Sequence, residues 1–472
     1  MFLEQIYTGC LAQGAYYIES DGEAAIIDPL REVKPYIEKA ERDKAKIKYV
    51  FETHFHADFV SGHLDLARQT GAVIIYGPTA VPGFEALIAT DGQEFPLGKI
   101  RIRLLHTPGH TMESSCFLLI DESGKETALF TGDTLFIGDV GRPDLAQKVK
   151  ADLTPEMLAA LLFDSLRKKI LPLADEIIIY PAHGAGSACG KNMSSETTDT
   201  LGHQKATNYA LRSALSKEAF IKQVLSGLTP PPAYFPLNVL MNIKGYESIE
   251  KVMERGKHAL EPAGFEAAAN ETGALILDTR DPDTFCKGYI PNSINIGIDG
   301  NFAPWAGALI PGINQKILII SEVGREEEVI TRLARVGYDY SIGYLKGGFE
   351  AWKKAGLETD QITCITPNAL AQEMKNAKIN LLDVRKNSEY QSEHLPGAEN
   401  VPLDYLNGNM QEVNKDKTYY VHCAGGYRSV IFISILKARG YTNLVNINGG
   451  FRALKESGMF KLTEYVRPTT ML

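Results

Sequence analysis

Two histidines and an aspartate occupy alternate positions in Thr53-His54-Phe55-His56-Ala57-Asp58-Phe59. Imidazoles and a carboxylate spaced this way on a tight turn can converge on one point, and that donor set suits Zn, Fe or Mn. Three more donors stand in short glycine-bearing segments further on: His110 in Pro108-Gly109-His110-Thr111, Asp133 in Thr131-Gly132-Asp133, and His183 in Pro181-Ala182-His183-Gly184. A nucleophile lies near the other end of the chain, in His422-Cys423-Ala424-Gly425-Gly426-Tyr427-Arg428-Ser429. The residues from Ala424 to Ser429 can wrap around one sulfur or small oxyanion. Their backbone N–H groups, a helix start and Arg428 are expected to lower the thiol's pKa and hold an anionic sulfur.

The surrounding sequence accounts for how these groups are presented. Ile47–Phe51 alternates like a strand, and Gly62 to Arg68 reads as the start of a helix, so His54, His56 and Asp58 fall on a strand-to-helix turn. Further strands are expected at 15–18, 24–28, 73–76, 100–104, 116–120, 128–130 and 177–180, with helices at 32–44 and 156–169. His106, His110, Asp133 and His183 each follow a strand, where open α/β sheets place their sites. Cys423 follows the apolar run Tyr419-Tyr420-Val421 and precedes a helix from Val430 to Arg439. Residues 190 to 260 are expected to leave this first assembly through helices near 204–225 and the stiff passage Thr229–Pro236.

From about residue 260 the chain repeats itself. Leu277-Asp278-Thr279-Arg280 matches Leu382-Asp383-Val384-Arg385, and Gly347-Gly348-Phe349 matches Gly449-Gly450-Phe451. An offset of about 100 residues is one small α/β domain, too long for a solenoid period. The first copy lacks the nucleophile. Ser321-Glu322-Val323-Gly324-Arg325-Glu326-Glu327-Glu328 follows its strand Ile317–Ile320, and the acidic run would repel an anion. The expected domains are 1–255, including the proline-rich segment 228–236, then an inactive copy at 256–360 and an active copy at 361–472.

A length of 472 residues, 44% hydrophobic and 23% charged, fits a soluble multidomain chain, and a net charge of −9 disfavours nucleic acid or an anionic membrane as partner. No apolar run is long enough to span a bilayer, and Glu4 interrupts any signal-peptide pattern at the N-terminus. The six cysteines form no CxxC pair, which fits free thiols in a reducing cytoplasm.

The motifs around His54-x-His56-x-Asp58, His110, Asp133 and His183 resemble, in order, the pattern of the metallo-β-lactamase superfamily. The resemblance covers about the first 250 residues and implies an αββα sandwich with a metal at one edge. Two-metal hydrolases of this superfamily, such as glyoxalase II, carry a histidine directly after the motif's aspartate. Phe59 stands there in this chain and cannot bind metal, so a second ion is expected to be weak or absent. Two histidines and one carboxylate around a single ion form the facial arrangement of Fe(II) oxygenases. Within the superfamily this resembles the persulfide dioxygenases. The resemblance implies one Fe(II) per chain (Zn or Mn as substitutes) on His54, His110 and Asp133, with His56, Asp58 and His183 orienting the ligands or bound water. Arg142, paired with Asp144, is a candidate pocket wall. Cys189 follows His183 closely and is a candidate sulfur carrier with Lys191 favouring its thiolate, or else a buried small residue.

The two copies resemble rhodanese domains, with Cys423 and Arg428 as the active pair and Ala424, Gly425, Gly426, Tyr427 and Ser429 as the persulfide loop. Together the resemblances imply an α/β and α+β multidomain, cytoplasmic sulfur enzyme of sulfide detoxification. It would oxidise a low-molecular-weight persulfide with O2 to sulfite and thiol, and exchange sulfane sulfur between sulfite and thiosulfate at Cys423. Fusions of this kind imply a homo-oligomer, dimer or tetramer. The alternatives are a dinuclear zinc thioester hydrolase like glyoxalase II with an appended sulfurtransferase, and a sulfur carrier or sensor with a vestigial metal site.

Overall fold

The structure, a computed structural model, describes residues 1–145, 153–191 and 193–467. They gather in two compact units, Met1–Ile249 with Ala334–Gly337, and Glu250–Leu333 with the chain from Tyr338 on.

The first unit contains two six-stranded sheets. One runs in chain order through Phe2–Thr8, Gln13–Ser20, Glu23–Ile27, Lys46–Phe51, Val73–Tyr76 and Leu87–Ile88. The other runs Asp199–Thr200, Ile178–Pro181, Glu126–Gly132, Ser115–Ile120, Ile100–His106, Glu94–Leu97. Side chains alternate between the two faces of a strand. Tyr16, Ile18, Phe51, Phe117, Leu119 and Phe130 therefore meet between the sheets. Their neighbours Ala15 and Tyr17 face Val33, Tyr36 and Ala40 beside and within the helix Lys34–Arg42. On the far side Cys116 and Leu118 meet Ala159 and Leu162 of the helix Pro155–Ser165. Strands covered on both faces read as continuous apolar runs, which explains the fully buried Ser115–Ile120. The result is the expected αββα sandwich.

Strand direction brings the candidate ligands to one edge. Ile100–His106 and Glu126–Gly132 both run antiparallel to Ser115–Ile120, and Ile178–Pro181 is parallel to Glu126–Gly132. Three strands thus end together, followed by His110, Asp133 and His183. The other sheet is tied to that edge by Ser115 N–H on Thr53 O (2.9 Å) and Gly14 N–H on Ala182 O (2.8 Å).

Residues 193–249 stay in the first unit rather than leaving the sandwich at 190, and the second unit starts at Glu250. After the prolines the chain turns into a helix, Phe235–Lys244, with Pro236 in the first turn, where a missing N–H leaves no helical bond unmade. Val239 and Ile243 pack against Phe55, Ile74 and Tyr76. The apolar residues of this helix find their partners far away in sequence, which local composition does not reveal.

The second unit contains two five-stranded sheets of one design. Ala259–Leu260, Ser341–Leu345, Ile317–Ile320, Leu275–Asp278 and Ile294–Asn295 lie side by side, all parallel. Thr363–Ile365, Leu444–Ile447, Tyr419–His422, Asn380–Asp383 and Glu399–Asn400 repeat that order. The repeated Asp-x-Arg is a buried fork in both. Arg385 Nε donates to Asp383 Oδ1 and Oδ2 (2.9 Å each), a terminal nitrogen donates to Glu393 O (2.8 Å), and the guanidinium lies 3.9 Å over the Phe451 ring. Arg280 does the same with Asp278, Gly288 O and Phe349. Removing one member of a buried pair strands the other's charge, which costs about 3–5 kcal/mol. Arg385→Ala is therefore expected to lower the unfolding free energy of the second unit by about that amount, visible as a lower urea midpoint.

Candidate functional site

His54, His110 and Asp133 converge. One ligand atom from each lies within 4.8 Å of the other two, and all three side chains are buried. His110 Nε2 is 3.4 Å and His54 Nε2 3.9 Å from the same oxygen, Asp133 Oδ2. The opposite ring nitrogens set the tautomers. His110 Nδ1–H donates to Arg142 O (2.8 Å). Thr53 Oγ1 gives its proton to Asp28 Oδ2 (2.8 Å), so at 3.0 Å from His54 Nδ1 it accepts. Both Nε2 lone pairs are left facing Asp133, a neutral donor pair held by outer hydrogen bonds. Burial, then His56, His110 and His183, lower the His54 pKa well below that of a free imidazole.

His56 belongs elsewhere. Its Nε2 is 3.1 Å from Asp28 Oδ1 and 3.6 Å from Glu52 Oε2, and the buried Phe59 ring lies 4.3 Å away, centroid to centroid. His56, Asp58 and His183 form a second donor set, again within 4.8 Å of one another, and Asp133, His183 and Cys189 form a third. His183 Nδ1–H donates to Ala12 O (3.2 Å), turning Nε2 to Asp58 Oδ2 (3.4 Å) and Asp133 Oδ1 (3.6 Å). Alternate positions on one turn thus point to two places, not one. Burial pulls the His183 pKa down, but Asp58 and Asp133 outweigh it and raise the pKa well above its usual value. His106 stays outside the cluster, its Nε2 on Met112 O (2.9 Å).

The buried polar atoms here fit a metal. Asp133 Oδ1 and Oδ2, Asp58 Oδ1 and His183 Nε2 have no hydrogen-bond partner. Buried polar groups left unpaired are costly, and cations held in these donor sets would satisfy them. The donor set, imidazole and carboxylate, suits Zn, Fe or Mn.

Arg142 fastens this centre. Its Nε donates to Asp144 Oδ1 (2.7 Å) and a terminal nitrogen to Thr229 O (2.6 Å) of the proline-rich passage, while its backbone N–H holds Cys189 O (2.9 Å). Cys189 lies buried at the centre, but Lys191 does not serve it. The ammonium donates to the carbonyls of Gln223, Val224 and Ser226 (2.8, 2.8 and 2.9 Å). Burial, with Asp58 and Asp133, pushes the Cys189 thiol up to about 12, which agrees with the buried-residue alternative and not with a thiolate.

A Cβ on Gly141 would sit 2.0 Å from Asp133 O and 2.9 Å from His110 Nδ1. Gly141→Ala is expected to push two ligands apart and reduce bound metal by about tenfold or more, as loss of ligand support does. Metal analysis of protein that keeps wild-type circular dichroism tests this.

The thiol loop stands at a helix start. Gly426 (φ 107°) precedes the helix Tyr427–Lys437, and its N–H donates to Cys423 Sγ (3.1 Å). Ser429 Oγ lies 3.7 Å from that sulfur and 2.8 Å from Asn446 Oδ1. Gly450 explains the repeated glycine pair, because a Cβ there would lie 2.5 Å from Cys423 O. Phe451 N–H bonds that carbonyl (2.7 Å) and Arg452 N–H bonds Ala424 O (3.0 Å), so the following loop clamps the active one. Arg428 is committed to Glu389 at 2.6 and 2.8 Å, and its charge is already paired. Tyr427 does not turn to the sulfur. Its hydroxyl donates to Gly297 O of the first copy (2.7 Å). In that first copy Glu326 accepts from Gly324 N–H (2.9 Å), filling the place of an anion with a carboxylate.

Several contributors escaped the sequence reading. Asn242 donates to His56 O and Phe59 O (2.8 Å each) and accepts from Ser61 N–H (3.0 Å), holding the ligand turn from behind. Asp28 could have been found, since it also ends a strand. Asn242, Glu389 and Asn446 carry no local signal.

The metallo-beta-lactamase superfamily matches residues 8–183, and the rhodanese-like domain matches 261–355 and 366–457. A solved metallo-beta-lactamase from Staphylococcus aureus subsp. aureus COL is 33% identical, with a TM-score of 0.63, covering 73% of this chain and 98% of that one. Hydroxyacylglutathione hydrolase GloC of Haemophilus influenzae is 30% identical over 199 residues, 38% of this chain and 87% of that protein. A probable hydroxyacylglutathione hydrolase of Schizosaccharomyces pombe is 33% identical over 168 residues, 35% of this chain. The chain spans 60%, 57% and 53% of the length of that protein and of the relatives from Rhizobium etli and Arabidopsis thaliana. No helix among the described residues is long and apolar enough to cross a membrane. The chain belongs to the metallo-beta-lactamase superfamily, with that domain followed by two rhodanese-like domains.

Proposed function

We propose that the chain is an iron-dependent persulfide dioxygenase joined to a thiosulfate sulfurtransferase. One observation carries the first half. His54, His110 and Asp133 Oδ2 form a three-donor set, while His56 Nε2 lies 3.1 Å from Asp28 Oδ1 and Phe59, next to Asp58, offers no donor. Two imidazoles and one carboxylate with open positions suit Fe(II), and a bound ion there supplies the redox chemistry between dioxygen and a persulfide. The overall change is persulfide plus O2 and water to thiol plus sulfite. The chain's own part is positional: Asp28 through Thr53, and Arg142 through its carbonyl, hold the two imidazoles. In the second half Cys423 takes a sulfane sulfur as its own persulfide. Gly426 N–H and the neighbouring loop hold the charge, and sulfite removes the sulfur as thiosulfate.

Hydrolysis of a hydroxyacylglutathione thioester is the second reading, and the names of the curated relatives favour it over oxidation. A specific observation supports it as well: Asp133 Oδ1, Asp58 and His183 offer donors for a second ion across the bridging carboxylate. Metal content decides between them, together with two assays on protein purified without added metal. About one iron per chain, with oxygen uptake on a low-molecular-weight persulfide, is the result expected of the dioxygenase. Two zinc ions with thioester cleavage and no oxygen uptake would reject it.

A further inference from the structure

Two cysteines outside both sites face each other across the joint between the rhodanese-like copies. Cys286 lies in the helix Pro282–Lys287 of the first copy and is buried, while Cys364 lies in the first strand of the second copy, Thr363–Ile365, and is exposed. The connecting segment is pinned to the first copy. Tyr289 and Asp360 exchange two backbone hydrogen bonds (2.9 Å each), Ile362 N–H donates to Cys286 O (3.0 Å), and Tyr289 Oη donates to Asp360 Oδ2 (2.7 Å). Cys364 Sγ donates to Ile362 O (3.6 Å), the residue whose N–H holds Cys286 O, and each thiol is the largest influence on the other's acidity. Asn446 Nδ2 donates to Cys364 Sγ (3.8 Å), and Asn446 Oδ1 accepts from Ser429, the residue beside the Cys423 sulfur.

We propose that Cys286 and Cys364 form a dithiol–disulfide pair oxidised by sulfane sulfur, a second sulfur-reactive site distinct from Cys423. The exposed thiol attacks and the buried one resolves. Cys364 thiolate attacks the outer sulfur of a persulfide R–S–SH. The S–S bond breaks, R–S⁻ leaves and takes a proton, and Cys364 carries the sulfane sulfur. Cys286 then loses its proton and attacks Cys364 Sγ, expelling hydrosulfide, which takes up that proton and leaves as hydrogen sulfide. Two thiols lose two electrons, and the sulfane sulfur gains them. The contact with Cys286 outweighs burial and lowers the Cys364 thiol, while the same contact, then burial, raises the Cys286 thiol, so Cys364 is the one of the two that ionises first and attacks. Asn446 bonds both this pair and Ser429, so oxidation is registered one hydrogen bond from the Cys423 loop. The step is independent of the metal in the first unit.

The full chain, reduced and freed of reductant, is treated anaerobically with sodium tetrasulfide, alkylated and digested with trypsin without reduction. Residues 281–287 and 355–375 are expected as one linked peptide by mass spectrometry, restored to two alkylated peptides by dithiothreitol. Persulfidation of Cys423 in the same sample shows that the donor reacted and the chain is folded. In Cys286→Ser the link disappears, and Cys364 instead carries an added sulfur. If Cys423 is persulfidated while Cys286 and Cys364 stay separate and alkylated, the proposal fails. It fails equally if diamide forms the link but tetrasulfide does not.

Discussion

Asp133→Ala abolishes the activity of the N-terminal centre and leaves sulfur transfer at Cys423 intact. The two oxygens of Asp133 address different donor sets, Oδ2 toward His54 and His110, Oδ1 toward His183. Losing it weakens a single-ion and a two-ion site alike. Outer-shell changes alone cost about 10–100-fold in affinity or activity, so loss of a ligand is expected to exceed about 100-fold. The fold should survive, because neither oxygen makes a hydrogen bond to the protein and none is broken by removing them. Bound metal, oxygen uptake with a persulfide and thioester cleavage are the measurements. Full metal content in this variant would show that the ligands lie elsewhere.

Cys423→Ser has the converse outcome. The serine hydroxyl fits the space and still accepts from Gly426 N–H, but it does not ionise near neutral pH and holds no sulfane sulfur. Thiosulfate-to-cyanide or thiosulfate–sulfite exchange should fall by at least about 1,000-fold, the order seen when a covalent nucleophile is lost. Metal content and N-terminal turnover should match wild type. Retained exchange would transfer the role to another cysteine. Cys286 and Cys364 are then the first to examine, since the remaining Cys10, Cys116 and Cys189 lie in the first unit.

Arg428 differs in kind from the expectation drawn for it. A guanidinium beside a cysteine suggested a charge free to hold an anionic sulfur. Its bidentate bond to Glu389 makes it part of an ion pair, and the donor that the structure places on the Cys423 sulfur is the Gly426 N–H, while Ser429 gives its proton to Asn446. The same loop in the first copy shows the logic in reverse. There Glu326 accepts from Gly324 N–H, and a carboxylate occupies the donors that an anion would need.

The sandwich, the repeat and the stations of the clustered histidines and aspartates are legible because each is written locally. Strand alternation, glycines at turns, and a donor just past a strand need only neighbours in sequence to be recognised. What the tertiary structure decided is what depends on distant partners. His54 and His56 look equivalent on the chain, yet Asp133 claims one and the Asp28–Glu52 carboxylates claim the other. The helix Phe235–Lys244 has no local signal beyond its prolines, and it is Phe55, Ile74 and Tyr76 that cover Val239 and Ile243. Lys191 stood two residues from Cys189 and was drawn away by three carbonyls of another helix's end. Residue types and short spacings determine which chemistry is available. Which atoms face one another is set by long-range packing and by the need to pair every buried polar group, and no local pattern encodes that.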